Sequence, residues 1–158
     1  MKVLIACLVV IAGLAIAVIL AGQFGMLKGK RPNRIGITEG KLAAPKTGSW
    51  NSVASQHQAG KEHDIAGIKF VGSADQAMAR LKIILAKDPS IIIVEATKTY
   101  LYAHAQTQLL KFVDDVEFLI DESTHIIHVR SASRLGRKDF GINRARIEAI
   151  RRGFESTP

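Results

Sequence analysis

The pattern of apolar and polar positions divides the chain into two unlike parts. From Val3 to Gly22 the sequence reads VLIACLVVIAGLAIAVILAG, without a charge. As a helix rising ~1.5 Å per residue, this run is about 30 Å long, the hydrocarbon thickness of a bilayer. A helix also satisfies its own backbone hydrogen bonds, for which lipid offers no partners. A buried core helix is the alternative, but a small domain has little room for a helix apolar on every face. The pattern predicts a single-pass transmembrane anchor over residues 1–24, with the lipid bilayer as partner of residues 3–22. A cleaved signal peptide stays open as the other reading, although the run is longer than the usual ~7–15 residues and no clear Ala-x-Ala site follows. Leu4-Ile5-Ala6-Cys7 resembles a lipoprotein box, but its apolar stretch lies after the cysteine rather than before it.

Beyond the anchor the periodicities are those of a folded domain. Residues 25–64 are punctuated by Gly25, Gly29, Pro32, Gly36, Gly40, Pro45, Gly48 and Gly60. Such spacing argues for an extended tether that packs onto the domain, with Trp50 covering the core edge or docking elsewhere. Over residues 65–158 the pattern becomes regular. Ser73 and Gln76 make a Ser-x-x-Gln capping box. Ala74, Ala77, Met78, Leu81, Ile84 and Leu85 then follow at helical spacing until Asp88-Pro89. Ile91–Val94 is a β-branched run, and 99–106 alternates in period two. Segments 112–120 and 125–134 form a hairpin across Asp121-Glu122-Ser123-Thr124. That loop sets Phe118 opposite Ile127, Asp115 opposite Arg130 and Glu117 opposite His128, so that opposite charges meet. The last helix begins with Asn143 as N-cap and carries an apolar stripe of Ile147, Ile150 and Phe154. The order helix, four strands, helix predicts an α+β fold: a two-layer domain with an antiparallel four-stranded sheet and two helices on one face.

Charge refines this picture. The net charge is +8, but residues 28–64 carry seven Lys/Arg against three Asp/Glu, and residues 65–158 fourteen against eleven. The folded part is thus only mildly basic, and no nucleic-acid partner is expected. The juxtamembrane cations Lys28, Lys30, Arg31 and Arg34 suit anionic headgroups instead. They also disagree with the shape of the anchor about direction. The positive-inside rule keeps the following domain cytoplasmic, whereas a short tail with one lysine before a long apolar run resembles a signal anchor that exports it. The extracytoplasmic side of the cell membrane is the expectation adopted. The one cysteine, Cys7, excludes an intramolecular disulfide.

Several segments together resemble a known family. They are Phe112–Phe118 (FVDDVEF), His128–Arg134 (HVRSASR), Gly136, Asp139, Gly141, Asn143-Arg144 and Arg146-Ile147-Glu148, preceded by Gly40-Lys41-Leu42 and Asn51–Gln56 (NSVASQ). The chain resembles the family known as domain of unknown function 1499 from about Gly36 to Phe154. The resemblance implies a small envelope- or membrane-associated bacterial protein, with relatives in plastids and no established activity, so no catalytic residues carry over. Many members have a cysteine pair in the N-terminal motif. Here Ser52 stands at the second of those positions, and Pro45 or Lys46 lies near the first.

Two polar sets are candidates for function. One is Asp114, on the face of Val116 and Phe118, with Ser131, Ser133, Asn143 and Arg144, either as a pocket floor or as a buried carboxylate paired within the core. Asp115 and Arg130 belong to the same hairpin. The other set is Arg134, Arg137, Lys138 and Arg144, placed before and at the start of a helix, where a phosphate or carboxylate could bind or where the cations are simply solvated. The N-terminal motif adds Asn51, Ser52, Ser55 and Gln56. No nucleophile elbow, P-loop or dinucleotide fingerprint is present, and the histidines lack metal-ligand spacing. No metal or cofactor is expected. The leading expectation is a membrane-anchored binding or scaffolding module of the bacterial envelope. The alternatives are an enzyme of unrecognised type using Asp114, Ser131 and Arg144, and a binder of anionic lipid or ligand.

Overall fold

The apolar run forms one helix, α1 (Lys2–Gln23), in the computed structural model, which describes residues 1–156. By length and composition it suits a membrane span or a signal sequence alike. Gly22 is its only buried residue. A Cβ there would come 2.5 Å from the Leu110 carbonyl oxygen, so only glycine lets the helix end approach the loop before residue 113 this closely. Gln23 Nε2 donates to the Leu109 carbonyl at 2.9 Å and ties the same two elements again.

The domain is α+β, built on one antiparallel sheet. Its strands are β1 (Ser52–Ala54), β2 (Ile68–Lys69), β3 (Ile91–Ala96), β4 (Tyr100–Gln106), β5 (Val113–Asp121) and β6 (Ile126–Ser133). The order is β1-β6-β5-β4-β3, and β2 shares the outer edge of β6 with β1. The four strands expected are β3 to β6, and they form the expected meander. The sheet has six strands because the segment before residue 70 adds two short pieces. Three and two residues are too few to show an alternation, which is why the pattern did not signal them.

Helices α2 (Ala74–Ala86) and α3 (Ile142–Ser156) cover one face. Ser73 and Gln76 form the full reciprocal capping box, and all six apolar positions expected in α2 are buried. Ile147, Ile150 and Phe154 of α3 pack beside them in the main core, together with Leu101, Val116, Phe118, Ile127 and Val129. The other sheet face is buried too. Leu42 and Ile35 pack there on Tyr100, Tyr102 and Leu119. The segment before β1 therefore forms an irregular third layer. This explains why β5 is buried at every position from Val113 to Ile120.

The hairpin register differs from expectation by two residues. Phe118 lies opposite Val129, Glu117 opposite Arg130 and Asp115 opposite Ala132. Every side chain keeps its expected face, because a slide of two preserves the pleat. The cause is in the turn. Asp121 stays in the strand, and its carboxylate accepts from the amides and hydroxyls of Ser123 and Thr124. His125 takes φ +54 and closes the loop, which spans 122–125 instead of 121–124. The partner of Arg130 is therefore Glu117, at 2.6 Å. A double-mutant cycle of Arg130→Met with Glu117→Gln should give a coupling of about 1–3 kcal/mol in denaturant unfolding, and a clearly smaller one with Asp115→Asn. Equal couplings would contradict this register.

Candidate functional site

The polar residues of the hairpin separate onto the two faces of the sheet. On the helix face, Asp114 is held by Arg146, Nη2 to Oδ2 at 2.6 Å. Ser131 Oγ donates to Asn143 Oδ1 at 2.5 Å, and Arg146 Nη1 donates to both oxygens. Asn143 Nδ2 donates to Ser133 Oγ, to the Asn51 carbonyl and to Asp139. Asn143 is thus not the N-cap. It is fully buried inside α3 and joins the helix to β6 and to the residue before β1. The helix start is served by Asp139, whose carboxylate accepts from the amides of Gly141 and Asn143. A negative side chain there complements the helix dipole and occupies the position an incoming anion would need.

Arg146 is the residue that sequence reasoning missed in this cluster. Arg144, expected beside Asp114 and Ser131, points elsewhere and donates to the carbonyls of Lys61 and Glu62. Helical spacing does not separate the two: at 3.6 residues per turn Arg144 and Arg146 flank the apolar stripe on opposite sides, and both are half-buried, so the choice of Arg146 comes from how the helix docks on the sheet.

On the opposite face, Asp115 and Glu117 are completely buried. Arg134 forks onto Asp115 through Nε and Nη2 at 2.8–3.1 Å, and Tyr102 donates to the same carboxylate at 2.7 Å. Glu117 accepts from Arg130, from Tyr100 at 2.9 Å and from the Gly36 amide at 2.7 Å. Burial, then the Glu117 charge, pushes the Tyr100 hydroxyl far up. Burial and the bond to Asp115 push Tyr102 up to about 12. Burial alone would lower Arg134, but Asp115 outweighs it and the guanidinium is held more firmly protonated. His104 sits against Tyr102 and Arg134 and is lowered, by burial first and then by Arg134.

Apart from the Gly36 amide, these two clusters lie within residues 43–154, which match the model of a family described as protein of unknown function (DUF1499). The chain belongs to the DUF1499 family. No curated protein and no solved structure matches it at a significant level. The DUF1499 match begins just after Leu42, so Ile35, Gly36 and Leu42, which close the second face, precede it.

Within the DUF1499 region the N-terminal motif is mostly structural in its bonding. Asn51 Nδ2 donates to the Gly136 and Ser133 carbonyls. Ser55 Oγ accepts from the Val129 amide and meets His128. Gln56 Oε1 accepts from the Leu42 amide. Ser52 differs, because its buried hydroxyl has no partner among the described residues. The basic set does not converge: Arg134 turns inward, Arg137 reaches the Gly48 carbonyl and Lys138 stacks 5.1 Å over the Trp50 ring. Trp50, Lys138, Arg144 and Phe140 instead line an open cavity of about 530 Å³. Phe140 is 94% exposed and has φ +54. Among the described residues no group of three or more His, Cys, Asp or Glu could hold a metal ion.

Removing one partner of a buried ion pair leaves the other charge uncompensated, at a cost of about 3–5 kcal/mol. Arg146→Met should lose stability on that scale in chemical denaturation, whereas Arg144→Met should lose less than about 1 kcal/mol. A second outcome concerns acid. His104 and His128 both titrate below the ordinary histidine value in the folded chain, because burial disfavours their charged forms. The unfolded state then binds protons first, so folding stability is present above an unfolded histidine pKa of about 6.5 and falls as pH drops below it. His104→Gln should flatten that fall in melts recorded from neutral to mildly acidic pH.

Proposed function

We propose that the chain is a membrane-anchored binding module that rests one end of its sheet on an anionic bilayer. The observation that carries this reading is the contact of Gly22 and Gln23 with the loop after β4. It sets the end of α1 against one end of the sheet. The antiparallel register gathers further loops at that end, because Gln106 pairs with Val113, Asp114 with Ser133 and Ser52 with Ala132. Those loops present Trp50, Leu109, Leu135 and Phe140 as exposed apolar side chains. Lys46, Lys111, Arg137 and Lys138 belong to the same loops, and Lys30 follows Gly29, which packs against Arg134 and Leu135. Aromatic residues beside cations are the composition of a membrane–water interface, and each cation near an anionic surface adds about 1 kcal/mol. The opposite end carries Asp121 at the end of β5 and Glu122 in the hairpin turn, beside Lys98 in the β3–β4 turn.

A binding role is also supported by the closure of the carboxylates. Asp114, Asp115 and Glu117 each have a guanidinium partner and are buried, which is the state of groups that hold a fold together.

The chain has one tryptophan, which makes the docking measurable. With the full chain reconstituted in vesicles containing phosphatidylglycerol, Trp50 emission should be quenched by brominated acyl chains. Replacing Lys138 by Gln should shift the docked equilibrium by about fivefold, and high salt should weaken it further. Identical Trp50 emission in brominated and ordinary lipid would refute the docking.

A further inference from the structure

A second cavity, of about 400 Å³, lies between residues 30–34 and the outer part of β6. Its lining includes Lys30, Arg31, Arg34, Lys46, Arg130 and Arg134, and no carboxylate. Glu117 and Asp115 lie behind Arg130 and Arg134 and neutralise one cation each. Lys30, Arg31, Arg34 and Lys46 have no carboxylate within 4.0 Å among the described residues. Like charges gathered in this way repel one another and raise the local potential, so the cavity favours an anion.

Two further atoms point the same way. Ser52 Oγ and Arg130 Nε are buried and have no hydrogen-bond partner among the described residues. Both residues line this cavity, with Ser52 4% and Arg130 6% exposed. Native proteins rarely leave such donors unmet, and a bound anion is one way to meet them. Here a hydroxyl and a guanidinium N–H are both unmet at the wall of one strongly cationic cavity.

We infer that this cavity binds a phosphate group, as a free phosphate or as a phosphomonoester headgroup of a lipid. A tetrahedral oxyanion offers several acceptor oxygens to donors arriving from different walls, and a dianion answers four cations without carboxylate partners better than a carboxylate does. Arg130 Nε and Ser52 Oγ supply the deep donors. Lys30, Arg34 and Lys46 supply the charge from the tether side. The site shares Lys30 and Lys46 with the docking surface proposed above, but Arg34, Arg130 and Ser52 belong to the cavity alone, so phosphate binding in lipid-free micelles is read separately from the docking of Trp50.

The test uses the full chain in dodecyl maltoside micelles, which contain no phosphate. Calorimetric titrations are run with inorganic phosphate and with dihexanoyl phosphatidic acid. Saturable binding is expected, and Ser52→Ala and Lys46→Gln should each weaken it about tenfold, the loss of one hydrogen bond or ion contact to a charged group. Ser52→Ala removes a hydroxyl without a partner, so its thermal midpoint should not fall, which separates lost binding from lost folding. Equal affinity for both probes assigns a soluble phosphate as the source, and a clear preference for phosphatidic acid assigns a lipid headgroup. Absence of saturable binding for both probes, or binding that both variants leave intact, would overturn the site.

Discussion

The fold depends on burying two carboxylates on the sheet face that the helices do not cover. Asp115 and Glu117 are side by side on β5, and both are completely buried. An ionised carboxylate out of water costs several kcal/mol unless charge and hydrogen bonds compensate it. Arg134 with Tyr102, and Arg130 with Tyr100, provide most of that compensation from the neighbouring strands. A further bond comes from outside the sheet, the Gly36 amide on Glu117, while the Arg31 guanidinium covers the Tyr102 ring at 4.6 Å. The stretch after α1 is therefore part of the domain's interior chemistry. Without it, two ion pairs would stand in water on an open sheet and the aromatic rings beside them would lose their cover.

The same constraint separates residues that are neighbours in the chain. Asp114 and Asp115 are consecutive, but the pleat sends them to opposite faces, each to its own arginine. They cannot serve one site. The hairpin thus bonds to both layers: Asp114 pairs with Arg146 of α3, and Glu117, paired with Arg130 on β6, accepts the Gly36 amide of the overlying tether. Few positions in β5 could change without disturbing one layer or the other.

What the sequence displayed was whatever has a period or a local cap. The α2 stripe, its capping box, the α3 stripe and the facing of each hairpin residue were all legible, because spacing alone decides them. Three things were not. The hairpin register turned on one side chain, Asp121, folding over its own turn, and a pairing shifted by two still matches opposite charges. Asn143 looks like a cap by residue type, but Asp139 was already bonded to the helix start and left Asn143 to the interior. Strands β1 and β2 are stabilised by a long-range partner, β6, and nothing within a few residues of them announces it. Arg146 was not legible either, since it and Arg144 flank the same stripe on opposite sides and only the docking of α3 on the sheet decides between them.

The close approach of Gly22 to Leu110 has a mechanical consequence. A leash would let the domain wander above its attachment point, but here the last turn of α1 is pressed against backbone and held by Gln23. The 22 residues of α1 make a rod of about 33 Å, slightly longer than an average hydrocarbon slab. Rods of that kind lean in thin bilayers and stand upright in thick ones. With α1 in a bilayer as proposed, a clamp at its end converts the lean of the rod into a roll of the whole domain. Local bilayer thickness would then set which edge of the sheet lies closest to the lipid.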